Sequence, residues 1–322
     1  MKQHWVPRSY LSPWADPATA GKNPLVWALN VEERRIFHPS VTKIFAETHM
    51  YSVTREDGSR DTSLEEGLAK LEGAFAEARD RVELGIEQEP DDEGVFTVYA
   101  ATMHARSKSM RDHHRGQWQE ALDRMDEMEK MIEEKGEAAF SRVVGPSDRH
   151  NVMTREDIEH VVGNTAAVIV PIFAKVEAQV FSTMNRAVLL ATGDETFITS
   201  DRPCAWLDNE PPLRGFLQPS HLMSPGLEVY LPISPRRCFV WSHYSHLAGQ
   251  IPVGNYYVRM MNLWLASQAA ILIRERPLFE KAYCANPRLV RAVVGLFRVS
   301  PFSAEETGIL NWYVTGINGR ND

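Results

Sequence analysis

The run Leu227-Glu228-Val229-Tyr230-Leu231-Pro232-Ile233-Ser234-Pro235-Arg236-Arg237-Cys238-Phe239-Val240-Trp241 decides the fold. Leu227–Leu231 and Cys238–Trp241 are rich in β-branched and aromatic residues, so each reads as a strand. Pro232-Ile233-Ser234-Pro235 reads as the turn between them, and it feeds Arg236 and Arg237. Just upstream, Phe197-Ile198-Thr199-Ser200-Asp201-Arg202-Pro203 starts as a buried strand. It ends in a hydroxyl, a carboxylate and a guanidinium, closed by a proline that cannot extend a ladder. The proline-rich stretch 207–226 between these strands reads as a long loop and a lid candidate.

Helical patterns flank the meander on both sides. Leu64, Leu68, Leu71, Phe75 and Val82 recur at helical spacing, so 64–84 reads as an amphipathic helix with capping-box spacing at Ser63 and Glu66. Val95–Lys135 reads as one long helix with a break near Gly116. A loop at 145–148 and a short helix opened by Thr154 and Asp157 follow. Thr165–Leu190 reads as a long buried helix, Asn255–Arg276 as a helix ended by Pro277, and 290–313 as mostly helical. At the other end, residues 1–24 form an extended strap of tryptophan, tyrosine and proline. Leu25–Leu29 and Arg34–His38 read as a hairpin, and Met50–Thr54 as a further strand.

Helices outnumber strands, and the two do not alternate as in a doubly wound sheet. The expected class is α+β, mainly helical, with a small antiparallel sheet packed against long helices. One domain is expected over 1–322: strap and hairpin 1–54, helical part 63–192, β-meander 195–245 and C-terminal helices 255–322.

The formal net charge of −8 argues against broad binding to nucleic acid. Cys204, Cys238 and Cys284 are too scattered for a disulfide framework, which makes a reduced, cytoplasmic protein the expectation. The most apolar stretch, Ala166–Phe181, carries Lys175 and Glu177, so no membrane span is expected. Dinucleotide and P-loop glycine patterns, the nucleophile-elbow serine and the paired-histidine zinc motif are all missing.

Four polar constellations stand out. His4, beside Pro7 and aromatic neighbours, can be a base or a metal ligand, or can simply cap a backbone carbonyl. On the long helix, His104, Ser107, Arg111, His114 and Trp118 line one stripe, with Arg106 beside it. Such a stripe suits an anion, and a solvated face is the plain alternative. Asp201 can be a metal ligand, a base or a turn anchor. Arg236 and Arg237 can approach Asp201, with a structural ion pair as the alternative, and Asn262 is a polar group on an apolar helix face.

Taken in order, these stretches resemble the family called domain of unknown function 4238. Gln3, His4, Val6, Pro7, Tyr10 and Leu11 match its opening Gln-His-x-Val-Pro-x-x-Tyr-Leu. Val26–Leu29, Tyr51, Arg106 and Arg111 are similar to later positions, and Asn262 resembles an asparagine on its penultimate long helix. Ser200, Asp201 and Pro203 match a Thr-Ser-Asp-Asn-Pro-like motif, and Pro232, Ser234 and Pro235 match Pro-[Leu/Ile]-Ser-Pro. Arg202 stands where the family usually has asparagine. The resemblance supplies no activity, but it implies that His4, Arg106, Asp201 and Asn262 converge.

Two functions are carried forward. One is a hydrolase acting on a phosphate ester or nucleotide. His4, Asp201 and Arg106 are its catalytic candidates. Arg111, His104, Asn262, Arg202 and Arg236 would hold the small anionic ligand, and a divalent metal is the candidate cofactor on Asp201 and His4. The other is a non-catalytic ligand-sensing or protein-interaction module of a stress or defence system, in which the polar set ties the strap to the sheet.

Overall fold

Leu227–Ser234 and Arg237–Ser242 form an antiparallel pair at the centre of a five-stranded sheet. The computed structural model describes residues 2–19, 21, 23–30, 33, 35–55, 57–136, 153–208, 222–244, 246–269 and 271–273. The elements run β1 (Lys2–His4), α1 (Arg8–Leu11), β2 (Ala28–Asn30), β3 (Arg35–Phe37), β4 (Ala46–Thr48), β5 (Val53–Thr54), β6 (Arg60–Asp61), α2 (Ser63–Leu84), α3 (Asp92–Ala105) and α4 (Lys108–Lys135). They continue with α5 (Arg155–Gly163), α6 (Thr165–Phe181), β7 (Asn185–Ala191), β8 (Thr199–Ser200), β9 (Ala205–Asp208), β10 (Leu227–Ser234), β11 (Arg237–Ser242), β12 (Gln250–Val253), α7 (Asn255–Gln268) and β13 (Ile271–Ile273). The class is α+β, with long helices around small sheets.

The main sheet has the order β12-β7-β11-β10-β9. All of its pairs are antiparallel except β12 with β7, so the sheet is mixed at one edge. Register explains why every residue of β10 is buried. Trp206, Val229 and Trp241 stand opposite one another across three strands and share a face. That face packs on Phe96 and Met103 of α3 and Phe181 of α6. Ala205, Tyr230 and Val240 share the other face, which packs on Val258, Met261 and Trp264 of α7. A strand covered on both sides reads as a continuous apolar run, as this one does.

A second, four-stranded antiparallel sheet has the order β3-β2-β13-β8 and contains the expected hairpin 25–38. The pairs β1–β4 and β5–β6 are two-stranded.

Five expectations change. The turn expected over Pro232–Pro235 is shorter: β10 runs on to Ser234, Pro232 stands opposite Cys238 in the pair, and the chain turns at Pro235–Arg236. The apolar run 165–190 is not one helix: it turns at Ser182–Met184 and continues as β7, a strand flanked by neighbours on both sides. A buried strand and a buried helix both lack a polar face, so composition alone does not separate them. The helix over 95–135 breaks at Arg106–Ser107, where the Ser107 hydroxyl accepts from the Met110 amide and starts α4, while Gly116 sits inside that helix. The helix from Asn255 ends at Gln268 and gives way to β13. Thr62, not Ser63, precedes α2, and the Asp61 carboxylate accepts from the Ser63 amide. Residues 145–148, 209–221 of the lid candidate, 274–277, Cys284 and 290–313 lie outside the described residues.

Among the described residues no single helix is long and apolar enough to cross a membrane.

Candidate functional site

The N-terminal strap sends its side chains to two different places. In β1, paired to β4, successive side chains alternate. Gln3 points inward and is 1% exposed. Its Oε1 accepts from the Tyr51 amide at 2.6 Å and its Nε2 donates to the Ser52 hydroxyl at 2.9 Å, so it does the work of a backbone pair. Pro7 then sets the chain at φ −61° at the mouth of α1, and Val6, Tyr10 and Leu11 enter the core fully buried.

Tyr10 is the centre of a buried hub. Its hydroxyl donates to the Pro232 carbonyl at 2.5 Å and accepts from Thr199 at 2.9 Å, which joins the strap to two sheets. Trp14 donates to the Phe197 carbonyl at 2.9 Å, and the Phe197 amide donates to the Pro235 carbonyl at 2.8 Å. The Asn262 amide completes the hub. Its Oδ1 accepts from the Ile198 N–H at 3.0 Å and its Nδ2 donates to the Thr196 carbonyl at 2.7 Å. One side chain on α7 thereby pairs both backbone groups of an extended segment just before β8, where no strand does so. The Ser234 hydroxyl accepts from the Arg236 and Arg237 amides at 3.3 and 3.2 Å and holds the turn.

His4 and Arg106 come together elsewhere, in a cleft of about 720 Å³ between the strap and α2. The strap wall carries Lys2, His4 and Arg8, with Thr42 beside them. The opposite wall is one face of α2: Glu65, Ala69, Glu72, Gly73 and Ala76. Arg106 also lines the cleft, yet its side chain is only 2% exposed and fully engaged. It donates to Glu72 at 2.8 Å, to the Tyr51 hydroxyl at 3.2 Å and to the His4 carbonyl. Arg106 is therefore a clamp that fixes the strap against α2.

His4 is half-buried, and its Nε2 donates to the Thr42 carbonyl at 3.3 Å. That bond assigns the ring proton to Nε2 and leaves Nδ1 as the acceptor. Burial lowers the His4 pKa, and the charges of Arg8 and Arg106 add to this against the Thr42 bond and Glu72. The surroundings thus favour the neutral ring. Glu65, by contrast, is pushed up by burial and by Glu72, against the pull of Arg106. Lys2 and Arg8 form no ion pair among the described residues, so their charge is uncommitted.

The other candidates lie apart from this cleft. Asp201 is buried at the end of β8 and does not line the cleft. Arg202 donates to the Ser109 hydroxyl at the start of α4 and to the Gln268 carbonyl at 2.9 Å. Burial lowers its pKa, partly offset by Asp201. Arg236 donates to the Gly193 carbonyl and Arg237 to Glu83, so neither is spent on Asp201. A Cβ at Gly193 would overlap the Asn255 side-chain amide, which would have to move to admit it. Arg111 holds Glu47 through two bonds of 2.7 and 2.9 Å. His104 bonds Glu177 at 2.9 Å and stacks on Trp206 at 4.0 Å, while burial raises the Glu177 pKa. The break at Ser107 thus dissolves the histidine–arginine stripe. Among the described residues no group of three or more His, Cys, Asp or Glu is disposed to hold a metal ion.

Lys2, Arg8 and Glu65 were not legible as site residues. The only trace was the pair of cations two before and four after His4. A sequence profile described as "Protein of unknown function (DUF4238)" matches residues 2–277 of the chain. No curated protein and no solved structure matches it.

Proposed function

The chain belongs to this family of unknown function, and from that premise we propose that the cleft between strap and α2 binds a phosphate ester or nucleotide and hydrolyses it, with His4 as the general base. One observation carries the reading. A neutral histidine, its tautomer fixed by a carbonyl, shares a cleft with two uncommitted cations, Lys2 and Arg8. The cations hold the phosphate oxygens. The His4 Nδ1 takes a proton from the attacking water as the P–O bond to the alcohol breaks, and solvent protonates the leaving oxygen. Arg106 positions the strap through the His4 carbonyl and is not itself a catalytic residue.

A second reading, ligand sensing without turnover, has its own support. The wall that carries Lys2, His4 and Arg8 is the same strap whose Tyr10 joins two sheets, so a ligand on that wall bears directly on the hub. Phosphate release from a panel of monoesters and nucleotides, with melting curves on the same samples, separates the two. Hydrolysis is expected in the wild type and is lost in His4→Gln and Arg8→Ala with no loss of fold. A melting shift without release supports sensing, and neither release nor shift with any compound overturns both.

A further inference from the structure

The two walls of the cleft carry opposite charges. Lys2 and Arg8 stand on the strap wall, and Glu65 and Glu72 stand two helical turns apart on the α2 wall. Glu72 is already paired to Arg106. Glu65 is half-buried and, among the described residues, has neither a hydrogen bond nor an ion pair. The space in front of it exists because the next positions on its face are Ala69, Gly73 and Ala76, whose side chains are too small to fill it.

A ligand with phosphate alone would meet attraction from Lys2 and Arg8 and repulsion from Glu65. A ligand that also carries a positive group would turn that repulsion into an ion pair in the same cleft. Resting on the phosphate-ester reading above, we propose that the cleft selects a dipolar ligand: a phosphate monoester bearing a primary ammonium group, with its phosphate on Lys2 and Arg8 and its ammonium on Glu65. The electrostatics of Glu65 agree. Burial, with Glu72 adding to it, pushes its carboxyl up against the pull of Arg106, and a bound ammonium would favour the ionised form.

The test is a matched pair of ligands, propylphosphonate and 3-aminopropylphosphonate, titrated calorimetrically into the full chain. Their C–P bonds prevent turnover during the measurement, and they differ only in the ammonium. The wild type is expected to bind the amino compound about tenfold more tightly, a difference of about 1.4 kcal/mol. E65Q, which keeps the side-chain shape, is expected to bind the two equally. The Lys2→Ala/Arg8→Ala double variant is expected to lose both. Equal binding by the wild type, or an undiminished preference in E65Q, overturns the dipolar assignment and leaves the phosphate reading standing. Failure of the wild type to bind either compound overturns the phosphate reading, and the assignment with it.

Discussion

One strap of about a dozen residues builds two polar regions of opposite character. Gln3, Tyr10 and Trp14 turn inward, where each is almost fully buried and every named polar atom has a partner. Lys2, His4 and Arg8 turn to the cleft, where two cations and one ring nitrogen have no partner among the described residues. Burial makes the difference. A buried polar group left unpaired costs about 1–3 kcal/mol, so the hub must be closed to be stable. A half-exposed group has water as an alternative partner and can be kept open for a ligand. Polar residues that recur with a family motif therefore need not mark chemistry. In this chain Gln3, Tyr10, Asn262, Pro232 and Pro235 act in holding the strap, the two sheets and α7 together.

Substitutions can break that contrast. The largest stability loss is expected from Asn262→Leu, which orphans the Ile198 N–H and the Thr196 carbonyl. Two such groups come to about 4 kcal/mol, read as a lower urea midpoint with unchanged slope. A midpoint like that of the wild type would show that the amide is dispensable and the hub is not closed as described.

Arg106→Met comes next, at about 3 kcal/mol. That is the lower end of the range for breaking a buried pair, because Glu72 keeps 25% exposure and can be rehydrated. The same denaturation series checks it. Retention of full stability would return Arg106 to the list of groups free to act on a ligand. Tyr10→Phe is smaller, about 1–2 kcal/mol, since only the hydroxyl is lost and the ring still fills its place among Trp14, Phe75 and Tyr99.

The smallest effect sharpens the cleft side. The unfolded chain binds a proton at His4 near pH 6.5, and the folded chain does so only at lower pH. Stability from this group is complete above pH 6.5 and is lost as pH falls toward the lowered folded value. His114 is lowered in the same direction, by burial and by His113. His4→Gln should therefore flatten the acid side of the melting-temperature profile without removing it. An unchanged profile would mean that His4 is not held neutral by the fold.

Much of the fold was legible. The helix 63–84 announces itself through Leu64, Leu68, Leu71 and Phe75, and the pair 227–241 through its two β-branched and aromatic runs on either side of Pro235, although Pro232 lies inside β10 and not in the turn. Residues 185–191 are covered on both faces, which erases the period that tells strand from helix. The break at Ser107 carries a capping serine, but its spacing from His104 and Arg111 equally suits one face of an unbroken helix. The site was less legible. Its walls are joined by three-dimensional packing between the strap and one face of α2. Lone surface cations such as Lys2 and Arg8 carry no pattern, whereas His4 and Arg106 were marked by the family motif and do meet.

Under the proposed function His4 is a neutral, ligand-facing base, unlike the closed hub a few residues away. ¹⁵N NMR of the His4 imidazole across pH, with and without propylphosphonate, tests this most directly. The expected result is an Nε2–H tautomer, a pKa below 6.5 in the free protein, and a rise when the phosphonate binds beside it. A His4 ring that titrates at or above 6.5 and ignores the phosphonate would contradict it.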